Sequence, residues 1–168
     1  MADTFYVVLT TTGAAKIAAA TAGGTEVALA EMAVGDSDGV YYDPTGEETD
    51  LVNEVYRAAL NSVTIDPDHA DRIIAELVIL ASAGGFDIRE AGIFDTDGDL
   101  IAIAKYPLEH KPAVGEGAGA ELTIQLIMVV SNTAVITLVI DPSVVLATRA
   151  YVDTMAHELR TMIWFHGA

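Results

Sequence analysis

Residues 86–106 read Phe86-Asp87-Ile88-Arg89-Glu90-Ala91-Gly92-Ile93-Phe94-Asp95-Thr96-Asp97-Gly98-Asp99-Leu100-Ile101-Ala102-Ile103-Ala104-Lys105-Tyr106. Two apolar runs, 86–94 and 100–106, flank Asp95-Thr96-Asp97-Gly98. Asp-Gly between such runs is a strong hairpin signal, so the stretch predicts two antiparallel strands. Side chains alternate along a strand, which puts Phe86, Ile88, Glu90, Gly92 and Phe94 on one face. Glu90 then stands among large apolar groups. A buried carboxylate needs a partner, and Arg57 or Arg89 is the expected one, in a structural ion pair. A catalytic acid is the weaker reading of Glu90.

Upstream, 5–9 is a short apolar strand. Thr11 or Thr12 can cap a helix through Ala14-Ala15-Lys16-Ile17-Ala18-Ala19-Ala20, which Gly23-Gly24 would stop. Glu26 to Val34 reads as a strand and 35–50 as a loop punctuated by Gly35, Gly39, Pro44 and Gly46. Leu51 to Asn53 is assigned a helical turn. Val55 to Ile65 looks extended, although its alanines also allow helix. Asp66-Pro67-Asp68 is a turn and Ile73 to Leu80 a strand.

Downstream, 110–120 is a loop rich in glycine and proline. Leu122 to Ile140 carries no charge and has the length of a membrane span. Ser131-Asn132-Thr133 interrupts it with turn formers, and both halves are rich in β-branched residues. Two strands, 122–130 and 134–140, paired as a hairpin explain this better than one helix. The N-terminus, with Asp3 and no basic leader, does not read as a secretory signal.

The C-terminal segment is the most patterned. Val145, Thr148, Val152, Met155, Leu159 and Met162 recur at spacings of three and four, a heptad seam. Its helix can start at Asp141-Pro142 or at Thr148. A self-associating helix and an ordinary amphipathic helix packed on its own domain both fit the pattern.

The 168 residues correspond to about one domain. Three lysines and five arginines stand against 25 acidic residues, for a net charge of −17. Such a chain lacks the basic patch that nucleic acid or an anionic membrane would require. A hydrophobic fraction of 52% is enough for a core and argues against disorder. With no cysteine, disulfides and thiolate metal sites are excluded.

Chemical motifs are tested and set aside. His69, His110, His157 and His166 are scattered, and Thr161 stands where a zinc-protease motif opening at His157-Glu158 needs its second histidine. Asp95-Thr96-Asp97-Gly98-Asp99 has its glycine too early for a calcium-binding loop, so a hairpin turn is the better reading. Gly115, Gly117 and Gly119 follow Pro112 and precede strand residues, the wrong context for a nucleotide loop. The acids Asp36, Asp38, Asp43, Glu47, Glu48, Asp50 and Glu54 read as a solvated acidic loop. Neither cofactor nor metal nor enzymatic activity is expected.

Many ordered blocks of the sequence are those of one family. They include Leu9-Thr10-Thr11-Thr12-Gly13-Ala14-Ala15-Lys16-Ile17, Leu51-Val52-Asn53-Glu54-Val55-Tyr56-Arg57, Gly84-Gly85-Phe86 and Ile88-Arg89-Glu90. Further blocks are Val130-Ser131-Asn132-Thr133-Ala134, Ile140-Asp141-Pro142-Ser143-Val144-Val145-Leu146-Ala147-Thr148-Arg149 and Tyr151-Val152-Asp153. Over roughly 9–153 the chain resembles the N-terminal domain of phage tail-collar fibre proteins. It departs from the family's pattern at Asp87, where tryptophan is usual, at Lys105, where asparagine is common, and at His110, where tyrosine is common.

The resemblance implies a structural virion protein, a tail fibre or fibre adaptor on the baseplate of a contractile phage tail, made in the cytoplasm of the host bacterium. It implies a homotrimer, with a baseplate protein as one partner and a distal fibre component or host receptor as another. A short receptor-binding module that touches the host surface directly is the alternative. The expected architecture is α+β: a mainly antiparallel β domain with an N-terminal helix, and a C-terminal helix forming a trimeric bundle. The expected boundaries are 1–147 for the baseplate-attaching domain and 148–168 for the oligomerisation or fibre-junction helix. Trp164 and Phe165 would then close the bundle or dock a further component.

Overall fold

The computed structural model describes residues 4–116 and 120–139. Strand β1 (Tyr6–Leu9) leads into helix α1 (Thr11–Gly23). Thr10 caps the helix, its hydroxyl accepting from the Gly13 amide at 2.9 Å. That hydroxyl also donates to the Leu100 carbonyl, which ties the cap to the sheet. This second bond selects Thr10 over the two threonines after it. Gly24 ends the helix in left-handed backbone at φ 67°.

The remaining strands are β2 (Val27–Gly35), β3 (Glu54–Ala59), β4 (Ser62–Ile65), β5 (Arg72–Ile79), β6 (Phe86–Asp95), β7 (Leu100–Lys111), β8 (Leu122–Val129) and β9 (Ile136–Leu138). The larger sheet has the order β1-β7-β6-β2-β3, with β9 added on β2. The smaller has the order β4-β5-β8. All pairings are antiparallel except β2 with β9.

The hairpin of 86–106 forms as β6 and β7, and β7 continues to Lys111. Its turn is held by the Asp95 carboxylate, which accepts from the amides of Asp97 (3.0 Å) and Asp99 (2.9 Å). Gly98 takes the positive φ of 85° that the turn needs. The extended run 55–65 breaks at Leu60-Asn61, so β3 joins the larger sheet and β4 the smaller. One run of sequence thereby serves both layers.

The two halves of the uncharged stretch 122–140 are strands, but they do not pair with each other. β8 pairs with β5, whereas β9 pairs in parallel with β2. A 3-10 turn at Thr133–Val135, capped by the Asn132 side chain on the Ala134 amide (3.1 Å), redirects the chain between the layers. Among the described residues, no helix is long and apolar enough to cross a membrane. The helical turn expected at Leu51 to Asn53 is absent as well, and the Val52 and Asn53 amides donate to the Glu90 carboxylate instead.

The two sheets face each other across the main core. Ile73, Ala75, Leu77 and Ile79 of β5, with Ile124, Leu126 and Met128 of β8, meet Met32, Val34, Ala91, Ile93 and Ala102 of the larger sheet. Ile17 and Ala20 of α1 seal one side. Gly13 allows the close approach, since a Cβ there would lie 2.1 Å from the Ile101 carbonyl oxygen. Fully burying one such side chain contributes about 1.5–3 kcal/mol. A second, smaller cluster of Ala33, Leu51, Phe94, Leu100 and Ile103 sits on the opposite face of the larger sheet.

The α+β expectation is corrected. Among the described residues there are nine strands and one α-helix, so the chain is mainly β. The physical reason is that period-two alternation dominates from β2 onward, and the alanine-rich run at 14–20 has no second counterpart there. The trimeric helix bundle expected at 148–168 lies outside the described residues, and the fold gives it no support.

Candidate functional site

Residues 40–53 cross the far face of the larger sheet as a strap. That face is lined with small residues where the strap lies. A Cβ on Gly92 would come within 2.7 Å of Leu100 and 3.1 Å of Leu51, and a Cβ on Gly35 within 2.5 Å of the Asn53 carbonyl oxygen. Leu51, 9% exposed, drops onto Phe94, Leu100 and Ile103, with Tyr42 packed beside them. The acidic stretch is therefore anchored by its few apolar residues.

Hydrogen bonds fix the strap along its length. The Tyr6 hydroxyl donates to the Pro44 carbonyl at 3.0 Å, and the Thr11 amide donates to the Gly46 carbonyl at 2.7 Å. Glu48 accepts from the amides of Thr45 (2.9 Å) and Gly46 (2.7 Å). Its burial raises the carboxyl pKa, but these amide bonds outweigh that and hold it below the usual range. Asn53 donates to Asp36 at 2.8 Å, and the Lys105 ammonium reaches Asp43 at 2.8 Å.

Glu90 lies under the strap and is 1% exposed. Its carboxylate accepts from the Tyr42 hydroxyl (2.9 Å), the Val52 amide (3.1 Å) and the Asn53 amide (2.9 Å). Burial, and then the Glu90 charge, push the Tyr42 phenol well above its ordinary value, so it stays a donor. Across the hairpin, Glu90 is in register with Lys105, also buried.

The arginines expected at Glu90 bond elsewhere. Arg57 donates to Glu54 (2.7 Å) and Glu31 (3.3 Å), with its guanidinium 3.8 Å from the centroid of the Phe94 ring. Arg89 donates to the Asp36 carbonyl (3.3 Å) and to Asp87 (3.5 Å). Arg57, opposite Ala33 on β3, is held over Phe94 by Glu54 and Glu31, and Arg89 sits within the register shift between Ile88 and Glu90, so both guanidiniums are taken up by these other partners. The seam residues Val145, Thr148, Val152, Met155, Leu159 and Met162 lie outside the described residues.

Tyr42, Lys105 and the amides of Val52 and Asn53 were not singled out at Glu90 from sequence. Only Lys105 had a usable signal. Counting outward from the Asp-Gly turn sets it near Glu90, whereas Tyr42 is 48 residues away.

A second polar cluster lies at the hairpin turn. Lys16 Nζ is 2.5 Å from Asp95, 2.9 Å from Asp97 and 2.5 Å from Asp99. Partial burial lowers the ammonium pKa, but the three carboxylates outweigh it and raise the group above its ordinary value. The triad of acids that resembles a cation loop thus has a protein ammonium at its centre. Of the scattered histidines, His110 meets Asp87 at 2.7 Å and His69 meets Asp66 at 3.5 Å, each in a separate surface pair.

The outer surface of the strap is mixed. Val40 is 71% and Val52 52% exposed, and Asp38, Asp43, Glu47, Asp50 and Glu54 are exposed around them.

Comparison with known proteins gives the family. The chain matches the family of the phage tail-collar fibre protein, N-terminal, over residues 1–150. It is 46% identical over 159 residues to the probable tail fiber protein of Escherichia phage P2, covering 94% of this chain and 24% of that protein. The chain thus spans about a quarter of the length of that curated relative. No solved structure matches it. The match across the whole described β domain shows that the chain belongs to the phage tail-collar fibre family, as its N-terminal domain.

Proposed function

We propose that this chain is the tail-proximal part of a phage tail fibre, attaching it to the baseplate of a contractile tail. The observation that carries this reading is the family match over 1–150, set beside a curated relative about four times as long. On this reading 1–147 is the attaching unit and 148–168 leads into the fibre or its junction. The protein works in the virion tail by multivalent docking, without catalysis.

The 36–54 segment is the surface we assign to attachment. It combines exposed acids with Val40 and Val52 on a preformed backbone, the apolar-within-polar pattern of an interface. Three copies would present three such straps. The positions Val145, Thr148, Val152, Met155, Leu159 and Met162 are proposed as places where copies meet.

Co-sedimentation of the purified chain with tails lacking their own fibres tests attachment. Retention on tails, lost when Asp43 and Glu47 are reversed to lysine, is the expected result. Retention unaffected by those reversals would move the contact to another surface. Binding to bare cells but not to tails would replace this reading with a host-surface module. Native mass spectrometry tests assembly, with a trimer expected near 53 kDa from a 17.6 kDa chain.

A further inference from the structure

We propose that Glu90 is the positioning residue of the strap, its buried carboxylate holding both ends of 42–53 in the presented conformation. This rests on the assignment of 36–54 as the attachment surface.

Three observations converge on it. One carboxylate takes the Tyr42 hydroxyl at the start of the strap and the Val52 and Asn53 amides at its end. The cradle is cut to size, because a Cβ on Gly35 would lie 2.5 Å from Glu90 Oε1 and 2.5 Å from the Asn53 carbonyl oxygen. Finally, Lys105, in register with Glu90, reaches out to Asp43 on the strap itself.

A loop closed at both ends through one acceptor loses its ordering cost before a partner arrives. The exposed Asp43, Glu47 and Asp50 between these anchors are therefore held in place rather than ordered on contact. A core residue with only a packing role would have no reason to accept from both ends of a surface segment.

The test is amide hydrogen exchange on the full chain, without any partner. Glu90→Gln keeps the size of the side chain but places an N–H₂ where at least one strap donor needs an acceptor. Exchange at Val52 and Asn53 should accelerate by roughly tenfold or more, while Ala91, Ile93 and Ala102 in β6 and β7 keep their protection. Tyr42→Phe removes only the hydroxyl and should quicken exchange at the nearby bonded amides of Thr45 and Gly46 by a smaller factor, which keeps the test open if E90Q does not fold.

Unchanged exchange at Val52 and Asn53 in E90Q, or unchanged exchange at Thr45 and Gly46 in Y42F, would overturn the proposal. So would a parallel loss of protection across β6 and β7, because Glu90 would then act on the whole sheet. Co-sedimentation with tails is read separately. Failure there with strap-local exchange intact would count against the attachment surface and leave the positioning role standing.

Discussion

Glu90 and Lys105 are register partners across β6 and β7, and both are buried, at 1% and 8% exposure. Burying a charge is costly unless it is paired and hydrogen-bonded. Glu90 draws on strap donors, and Lys105 reaches Asp43 at 2.8 Å. Two opposite charges inside the sheet are thus connected to one surface segment. Replacing Lys105 by methionine should cost about 3 kcal/mol, read by urea denaturation. A change under about 0.5 kcal/mol would show that Glu90 does not need this charge.

Gly35→Ala tests the cradle directly. The added Cβ meets the Asn53 carbonyl and the Glu90 carboxylate together, and neither can retreat without breaking a strap bond. The expected loss is about 1–3 kcal/mol, as for other overpacked positions. Melting at the wild-type temperature would mean that the strap stands farther from the sheet.

Lys16→Met should leave Asp95, Asp97 and Asp99, whose carboxylate oxygens lie within 4.8 Å of one another, without their ammonium. The turn faces solvent, so screening limits the loss to about 1 kcal/mol. Added salt should recover part of it, and thermal melts at low and high salt would measure that recovery. The Lys16 pKa is raised on folding, so its stabilisation is complete below about 10.4, the unfolded value. It is lost only as pH rises through the higher folded value, a window that alkaline titration of stability would reveal.

Glu48 has the opposite sign. Its folded pKa is lowered, so its contribution is present above the unfolded value of about 4.3 and disappears as pH falls through the folded one. Amide exchange at Thr45 and Gly46 should therefore quicken on acidification, after correction for intrinsic rates. Glu48→Gln should abolish that pH dependence. Persistence of the same acid step in the variant would assign it to another carboxylate.

Sequence alone determined the elements whose signals are local. The Asp-Gly turn fixed the β6–β7 hairpin, because a short loop closed by the positive φ of Gly98 brings adjacent runs together. The alanine run from 14 to 20 and Gly24 bounded α1, since capping and propensity act within one turn. Ordered blocks across the chain were enough to mark the family. Alternation along 86–94 drew attention to Glu90, but the register shift between Ile88 and Glu90 turns Phe86 and Ile88 into the main core and leaves Glu90, Gly92 and Phe94 on the strap face, so the five do not share one face as expected. The turn formers at 131–133 divided the uncharged stretch.

Tertiary structure decided which distant groups meet. Strands β8 and β9 are adjacent in sequence, yet they join different sheets, because pairing depends on which free edge each one reaches. Tyr42 and Glu90 are 48 residues apart, and no periodicity relates them. Arg57 and Arg89 are nearer to Glu90 in sequence but bond to carboxylates and a carbonyl beside them. The buried carboxylate took amide and hydroxyl donors because the strap, drawn close over Gly35 and Gly92, delivers them at hydrogen-bond distance.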